Sequence, residues 1–192
     1  MQLDDMSLWK QIKKGNEKAF EELLVRYENR VFAYAYHMLA NHADAEDVTQ
    51  EVFIKLWSAT PQFRGEASLS TWIFRITRNA CIDFLRQRRE DVQSLYLQDE
   101  DGSSYQVDLV DEEIAHNPSA YFAREEQIEM VRAAIRELPL PYREILILRD
   151  YEGLSYEEIA SLLSLELGTV RSRISRGRLK LKKILEGRNF LL

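Results

Sequence analysis

Leu154–Lys183, LSYEEIASLLSLELGTVRSRISRGRLKLKK, decides the fold of the C-terminal part of this chain. Ser155 followed three residues later by Glu158 is a capping box, in which each side chain satisfies a free backbone N–H of the other residue and starts a helix. Ile159, Leu162 and Leu163 give that helix its buried side. A turn through Ser164 to Gly168 leads into a second helix. At 100° per residue, Val170, Ile174, Gly177, Leu181 and Ile184 share one arc of it, and Arg171, Ser172, Ser175, Arg176, Arg178, Lys182 and Lys183 share the opposite one. The pattern predicts a helix-turn-helix with one packed face and one basic face. Arg pairs bidentately with guanine or phosphate and hydroxyls bond in the groove, so the basic face fits DNA.

Charge distribution supports that reading over a merely solvated helix. Glu166 to Leu192 carries eight Arg or Lys against two Glu in a chain whose net charge is −6. The acidity lies elsewhere: residues 91–126 hold ten acids and one base, whereas 1–90 are balanced at thirteen each. Residues 93–118 lack helical apolar periodicity and contain Asp-Glu-Asp-Gly-Ser-Ser, so they read as an acidic, flexible linker. Flanking it are residues 1–92 and 119–192, each large enough for a small domain.

The N-terminal part reads as helices throughout. Asn16 caps a long helix from Glu17 to about Leu39, with Phe20, Leu23, Leu24, Tyr27, Val31, Tyr34 and Met38 at helical spacing. Asp44, Glu46 and Asp47 crowd the start of a further helix, where the helix dipole favours negative charge. Val48, Val52, Phe53, Leu56 and Trp57 form its packing face, leaving Asp44, Asp47, Gln50 and Glu51 as an acidic and amide edge. From Thr71 to Arg89 a helix is expected with Trp72, Arg75, Ile76, Asn79, Asp83 and Arg86 on one side and Ile73, Ala80, Phe84 and Leu85 on a drier one. Aromatics interleaved with Arg and Asn are what single-stranded nucleic acid requires, although a Trp and an Ile on a helix equally suit a core.

Several chemistries find no support. Cys81 is the sole cysteine and sits in a helical pattern, as a buried structural thiol does. His37, His42 and His116 lack partners at ligand spacing, and phosphate loops and nucleophile elbows are absent. Neither an apolar run of bilayer length nor a secretory start occurs, so a cytoplasmic, non-enzymatic protein without metal or cofactor and without membrane insertion of its own is expected.

These residues resemble, in order, the extracytoplasmic-function class of bacterial sigma factors. The matching strings begin at Gly15 (GNEKAFEEL), Asp44 (DAEDVTQEVF), Phe63 (FRGEASLSTWIFRI), Asn79 (NACID), Leu138 (LPLPYRE), Gly153 (GLSYEEIA) and Gly168 (GTVRSR). The resemblance implies an all-α protein of two small helical bundles: region 2 over 1–92, an acidic linker over 93–118, and region 4 with the helix-turn-helix over 119–192. It implies an alternative sigma factor that binds core RNA polymerase, directs initiation at specific promoters under envelope or other stress, and is held by an anti-sigma factor. Asp44, Asp47, Gln50 and Glu51 match the clamp-binding helix. Ala59, Phe63, Arg64, Trp72, Arg75 and Asn79 match the surface that captures single-stranded bases at the minus-10 element. Thr169, Arg171, Ser172, Ser175 and Arg176 match the helix that reads the duplex minus-35 element, with Ser175 departing from the bulkier residue often found there.

Two other classes remain open from sequence. One is a stand-alone helix-turn-helix regulator with a helical sensor domain, which would bind an operator as a dimer. The other is a nuclease whose metal sits among Asp44, Glu46, Asp47 and Glu51, although two-metal sites usually draw carboxylates from several elements.

Overall fold

The computed structural model describes residues 4–63, 65, 67–96 and 119–188, with side chains over 4–63, 65, 67–88 and 127–188. Among these residues every regular element is helical. Asp4 caps α1 (Asp5–Ile12), its carboxylate accepting from the Ser7 N–H at 3.0 Å. Asn16 caps α2 (Glu17–Leu39) by accepting from the Ala19 N–H, and Ala40 ends it in the left-handed conformation at φ 61°. Asn41 then caps α3 (His42–Ser58) by accepting from the Asp44 N–H at 2.9 Å. A short 3₁₀ turn, Thr60–Gln62, precedes α4 (Leu69–Tyr96).

The apolar stripe of α2 is buried as its spacing requires: Leu23, Tyr27, Val31, Tyr34 and Met38 are all at most 1 % exposed. This stripe makes α2 the central rod of the first bundle, with α1, α3 and α4 packed around it. Trp57 departs from the expected packing face. It is 42 % exposed and meets only the edge of the bundle, through a T-shaped contact with Phe20. One element was given no range from the sequence and another exceeds its range. The first, α1, contributes the buried Leu8, Trp9 and Ile12. The second, α4, runs on to Tyr96 and so takes in the first four residues assigned to the linker; Val92, Leu95 and Tyr96 are in fact spaced three and four apart. Residues 97–118, the remainder of that segment, lie outside the described residues.

The second bundle comprises α5 (Ser119–Arg136), α6 (Leu140–Leu146), a π-helical turn (Ile147–Tyr151), α7 (Tyr156–Leu163) and α8 (Leu167–Gly187). Both halves of the capping box on α7 form: the Glu158 N–H donates to Ser155 Oγ at 3.1 Å and the Ser155 N–H donates to Glu158 Oε2 at 2.9 Å. Ser164, at φ 53°, makes the left-handed turn between α7 and α8. Val170, Ile174, Gly177 and Leu185 face inward, and a Cβ at Gly177 would lie 3.3 Å from Leu146, so glycine lets α8 approach α6 closely.

The two bundles are docked. Helix α4 packs on α7 and α2 packs on α5, and the buried apolar residues form one continuous cluster. Charged pairs stitch the seam: Arg30 Nε donates to Glu152 Oε2 at 3.0 Å, Arg78 to Glu144, and Arg143 Nη1 to the Met38 carbonyl at 3.0 Å. The π turn ends α6 so that Tyr151 lies 4.4 Å, ring to ring, from His37 of α2.

Candidate polymerase and nucleic-acid interfaces

Helix α3 offers the acidic edge largely to solvent. Asp47, Gln50 and Glu51 are exposed, with Glu51 in an i,i+4 pair with Lys55 at 2.5 Å. Asp44 differs from them. It is half-buried, and its Oδ2 accepts from Arg88 of α4 at 2.8 Å, so its charge is already engaged in joining α3 to α4. Ile54, 67 % exposed, continues the edge one turn beyond Gln50 and Glu51. Beside it an open groove of about 310 Å³ is lined by Glu28, Asn29 and Phe32 of α2 with His42, Glu46 and Gln50 of α3. These α2 residues escape a sequence reading because they join the edge only through helix pairing.

The residues matched to the minus-10 element gather around the start of α4, but not as an open surface. Phe63 is only 4 % exposed. Its ring lies 5.4 Å from Trp9 and 4.9 Å from Trp72, and Trp9 and Trp72 are 5.1 Å apart, so the three rings form one cluster, edge-on at Trp9 and tilted between Phe63 and Trp72. Such aromatic pairs add to stability beyond their burial, which opposes a role for Phe63 as a freely presented stacking platform in this conformation. The signal missed in the sequence was Trp9, which lies on a helix too short to declare its face. Ala59 is half-buried at the end of α3, Asn79 is exposed, and Arg64 lies outside the described residues. Arg75 reaches across the seam, donating to the carbonyl and hydroxyl oxygens of Ser161 at 3.3 and 3.4 Å.

The recognition helix α8 is open. Arg171, Ser175 and Arg176 are exposed, while Thr169 and Ser172 are half-buried, with Ser172 Oγ donating to the Thr169 carbonyl at 3.0 Å. Two cations of the basic arc have acidic neighbours, Arg178 with Asp150 at 2.5 Å and Lys182 with Glu186 at 3.7 Å. Arg171 and Arg176 stand exposed in the N-terminal half of the helix, the end that enters a major groove in helix-turn-helix proteins.

Burial, followed by the nearby Glu144, pushes the Cys81 thiol up to about 12, as befits an inert core residue. Among the described residues no cluster of three His, Cys, Asp or Glu could hold a metal ion, and no helix is long and apolar enough to cross a membrane. The nuclease reading therefore has no site to rest on there.

Comparison with known proteins matches residues 23–90 to Sigma-70 region 2 and residues 128–181 to Sigma-70, region 4. The ECF RNA polymerase sigma-E factor of Escherichia coli K12 is 36 % identical over 182 residues, covering 92 % of each chain. The chain belongs to the ECF sigma factors. The RNA polymerase sigma-H factor of Pseudomonas aeruginosa is likewise similar, at 33 % identity over 185 residues, covering 96 % of this chain and 95 % of that one. Two solved structures align along nearly the whole chain at a TM-score of 0.70. One is the sigma factor RpoE in complex with the anti-sigma factor NepR from Bartonella quintana, with 29 % identity, 88 % of this chain and 98 % of that one. The other is CnrH in complex with the cytosolic domain of CnrY, with 26 % identity, 95 % and 97 %. As an ECF sigma factor the chain is an alternative initiation factor that directs transcription, and its fold is all-α with two helical bundles.

Proposed function

We propose that this ECF sigma factor divides its work among the three surfaces described above, acting in the cytoplasm and making no chemical bond itself. Asp47, Gln50 and Glu51, with Asp44 as their anchor, form the edge that docks on core RNA polymerase. Ala59, Trp72, Arg75 and Asn79, with Phe63 once it leaves the aromatic cluster and Arg64 beside it, receive the non-template strand of the minus-10 element. Arg171, Ser175 and Arg176, supported by Thr169 and Ser172, read the minus-35 element in the major groove. Residues 1–92 and 119–192 are the two working domains and 93–118 connect them. An anti-sigma factor, of the kind seen with the relatives above, is the inhibitor, and stress is the signal that removes it.

The observation that carries this reading is the separation of exposed charge by sign: an acidic and amide edge on α3 and a basic face on α8. An acidic edge cannot bind DNA, so it is left for a protein, whereas the basic face suits phosphates and base edges. Reversing the edge in Asp47→Lys/Gln50→Lys should weaken retention on core RNA polymerase by at least roughly tenfold, as expected when like charge meets a charged partner surface. Helical content should not change, because both positions are exposed. Undiminished retention would remove α3 from the polymerase interface.

A further inference from the structure

Helix α1 precedes the residues matched to region 2, and it buries Leu8, Trp9 and Ile12 in the first bundle. Asp5 fixes it to α2, accepting from Arg26 Nη1 at 2.5 Å and from the Tyr27 hydroxyl. A second stripe of the helix meets a different part of the chain. Met6, Trp9 and Lys13 are spaced at i, i+3 and i+7, which puts them along one face, and all three reach the turn that carries Phe63 and Gly65. The Lys13 ammonium donates to the Phe63 carbonyl at 2.6 Å, fifty positions away in sequence. The Trp9 ring stands edge-on to the Phe63 ring. Gly65 adopts the left-handed conformation at φ 78°, and a Cβ there would lie 3.7 Å from the Met6 methyl.

Trp9 also carries a group that its packing does not use. It is 2 % exposed, and its indole N–H is buried without an acceptor. The neighbouring Phe63 and Trp72 side chains have no acceptor atom to offer. A buried N–H left unpaired costs stability, so its persistence calls for an explanation. Phenylalanine at this position would supply a ring without that penalty. The edges of unpaired bases, by contrast, carry acceptor nitrogens and carbonyl oxygens.

We propose that α1 is a working part of the minus-10 site: Met6, Trp9 and Lys13 seat the turn that carries Phe63, and the Trp9 indole N–H is the donor met by an unpaired base that takes the place of the Phe63 ring. This rests on the promoter reading above and adds α1 to its strand site. Trp9 touches the base, whereas Lys13 is a positioning residue that acts through the Phe63 carbonyl. One flat ring beside Trp9 and Trp72 replaces another, so the aromatic contacts are exchanged rather than lost. The exchange supplies the hydrogen bond that the free chain lacks, and that difference favours the strand-bound arrangement.

Indole N–H NMR spectra of the full chain test this, because its three tryptophans, Trp9, Trp57 and Trp72, are assigned by single Trp→Phe variants. On adding a random-sequence single strand of about 12 nucleotides, the Trp9 signal should move together with the Trp72 indole and the Asn79 side-chain amide. An abasic backbone of equal length should leave Trp9 in place. Trp9→Phe, which keeps a ring, should bind the strand about fivefold more weakly, the usual worth of one net hydrogen bond, and bind the abasic backbone as the wild type does. Lys13→Met should lower affinity for the strand alone, and Lys13→Arg should restore it.

An unmoved Trp9 signal beside moved Trp72 and Asn79 signals would overturn the proposal and leave the promoter reading standing. Silence at all three would remove the minus-10 reading, and the proposal with it. Equal strand affinity in Trp9→Phe would overturn the donor role. A Lys13→Met loss of the same size on the abasic backbone would make Lys13 a phosphate contact and overturn its role as the seat of Phe63.

Discussion

Helix α8, proposed above to read duplex DNA, and the start of α4, proposed to take a single strand, are treated oppositely by the chain. Arg171 and Arg176 stand exposed with helix α8 anchored behind them, whereas Phe63 is buried between two tryptophans and Arg75 is bonded across the seam. The difference follows from the ligand each must take. A duplex presents its groove ready-made, so its reader can be rigid and always available. A strand must be unstacked first, and aromatic side chains suited to stacking on bases are also those that stack on one another when no base is present. An exposed cluster of Trp9, Phe63 and Trp72 would be a liability in the free protein, and the packing of Phe63 and Trp72 against Trp9 of α1 reduces it.

Phe63→Ala is the largest test of that contrast. If Phe63 is a core residue in the free chain, truncation should cost about 3–5 kcal/mol of stability, from lost burial plus the cavity left between Trp9 and Trp72. Urea denaturation measures this directly. An unchanged midpoint would mean that the ring is free in solution and that the two DNA faces are equally open. Arg171→Ala, on the exposed face, should leave stability within about 0.5 kcal/mol of the wild type.

A second test acts on the seam through pH. His37, 6 % exposed against Tyr151, is lowered to about 4, first by burial and then by Arg132 and Arg136 of α5, with Glu129 opposing. Its folded pKa lies below the unfolded value near 6.5, so its contribution is fully present above pH 6.5 and is lost as pH falls toward 4. The limit is on the order of 3 kcal/mol, at about 1.4 kcal/mol per pH unit. Glu144 and Glu152 have the opposite sign, since their raised carboxyls favour the docked state on acidification. Thermal denaturation of His37→Phe between pH 7 and pH 4 should therefore lose the acid-induced fall and retain the carboxylate trend. A slope identical to that of the wild type would place His37 outside the seam.

Local rules made much of this legible. The span from Asn16 to Leu39, the capping box at Ser155 and Glu158, and the packed arc of α8 follow from caps and a 3.6-residue period, which act within a few residues. The seam did not, because its pairs join residues 66 to 122 positions apart and no local period encodes them. Asp44 illustrates the limit. In sequence it is one more acid on an exposed edge, and only the approach of Arg88 from α4 makes it also a brace between α3 and α4. Arg178 likewise leaves the basic arc because the π turn brings Asp150 beneath it.

The smallest effect bears most directly on the contrast between the two faces. Arg171→Ala or Arg176→Ala should cost about 1–3 kcal/mol in binding duplex promoter DNA and relax specificity if the side chain reads a base, whereas a phosphate contact would weaken every sequence alike and flatten the salt dependence. Because both residues are already exposed in the docked chain, the loss should be the same in the wild type and in the Glu152→Arg background, which breaks the Arg30 pair across the seam. Arg75→Ala should behave differently, with its cost to strand binding visible chiefly once the seam is broken, since in the docked form the guanidinium is engaged by Ser161. Duplex and single-strand titrations on the four combinations separate the cases. Equal dependence of Arg75 and Arg176 on the state of the seam would mean that the seam covers both faces or neither. A background-independent Arg176 beside a background-dependent Arg75 would tie the asymmetry to the seam, because of the two only Arg75 is bonded across it.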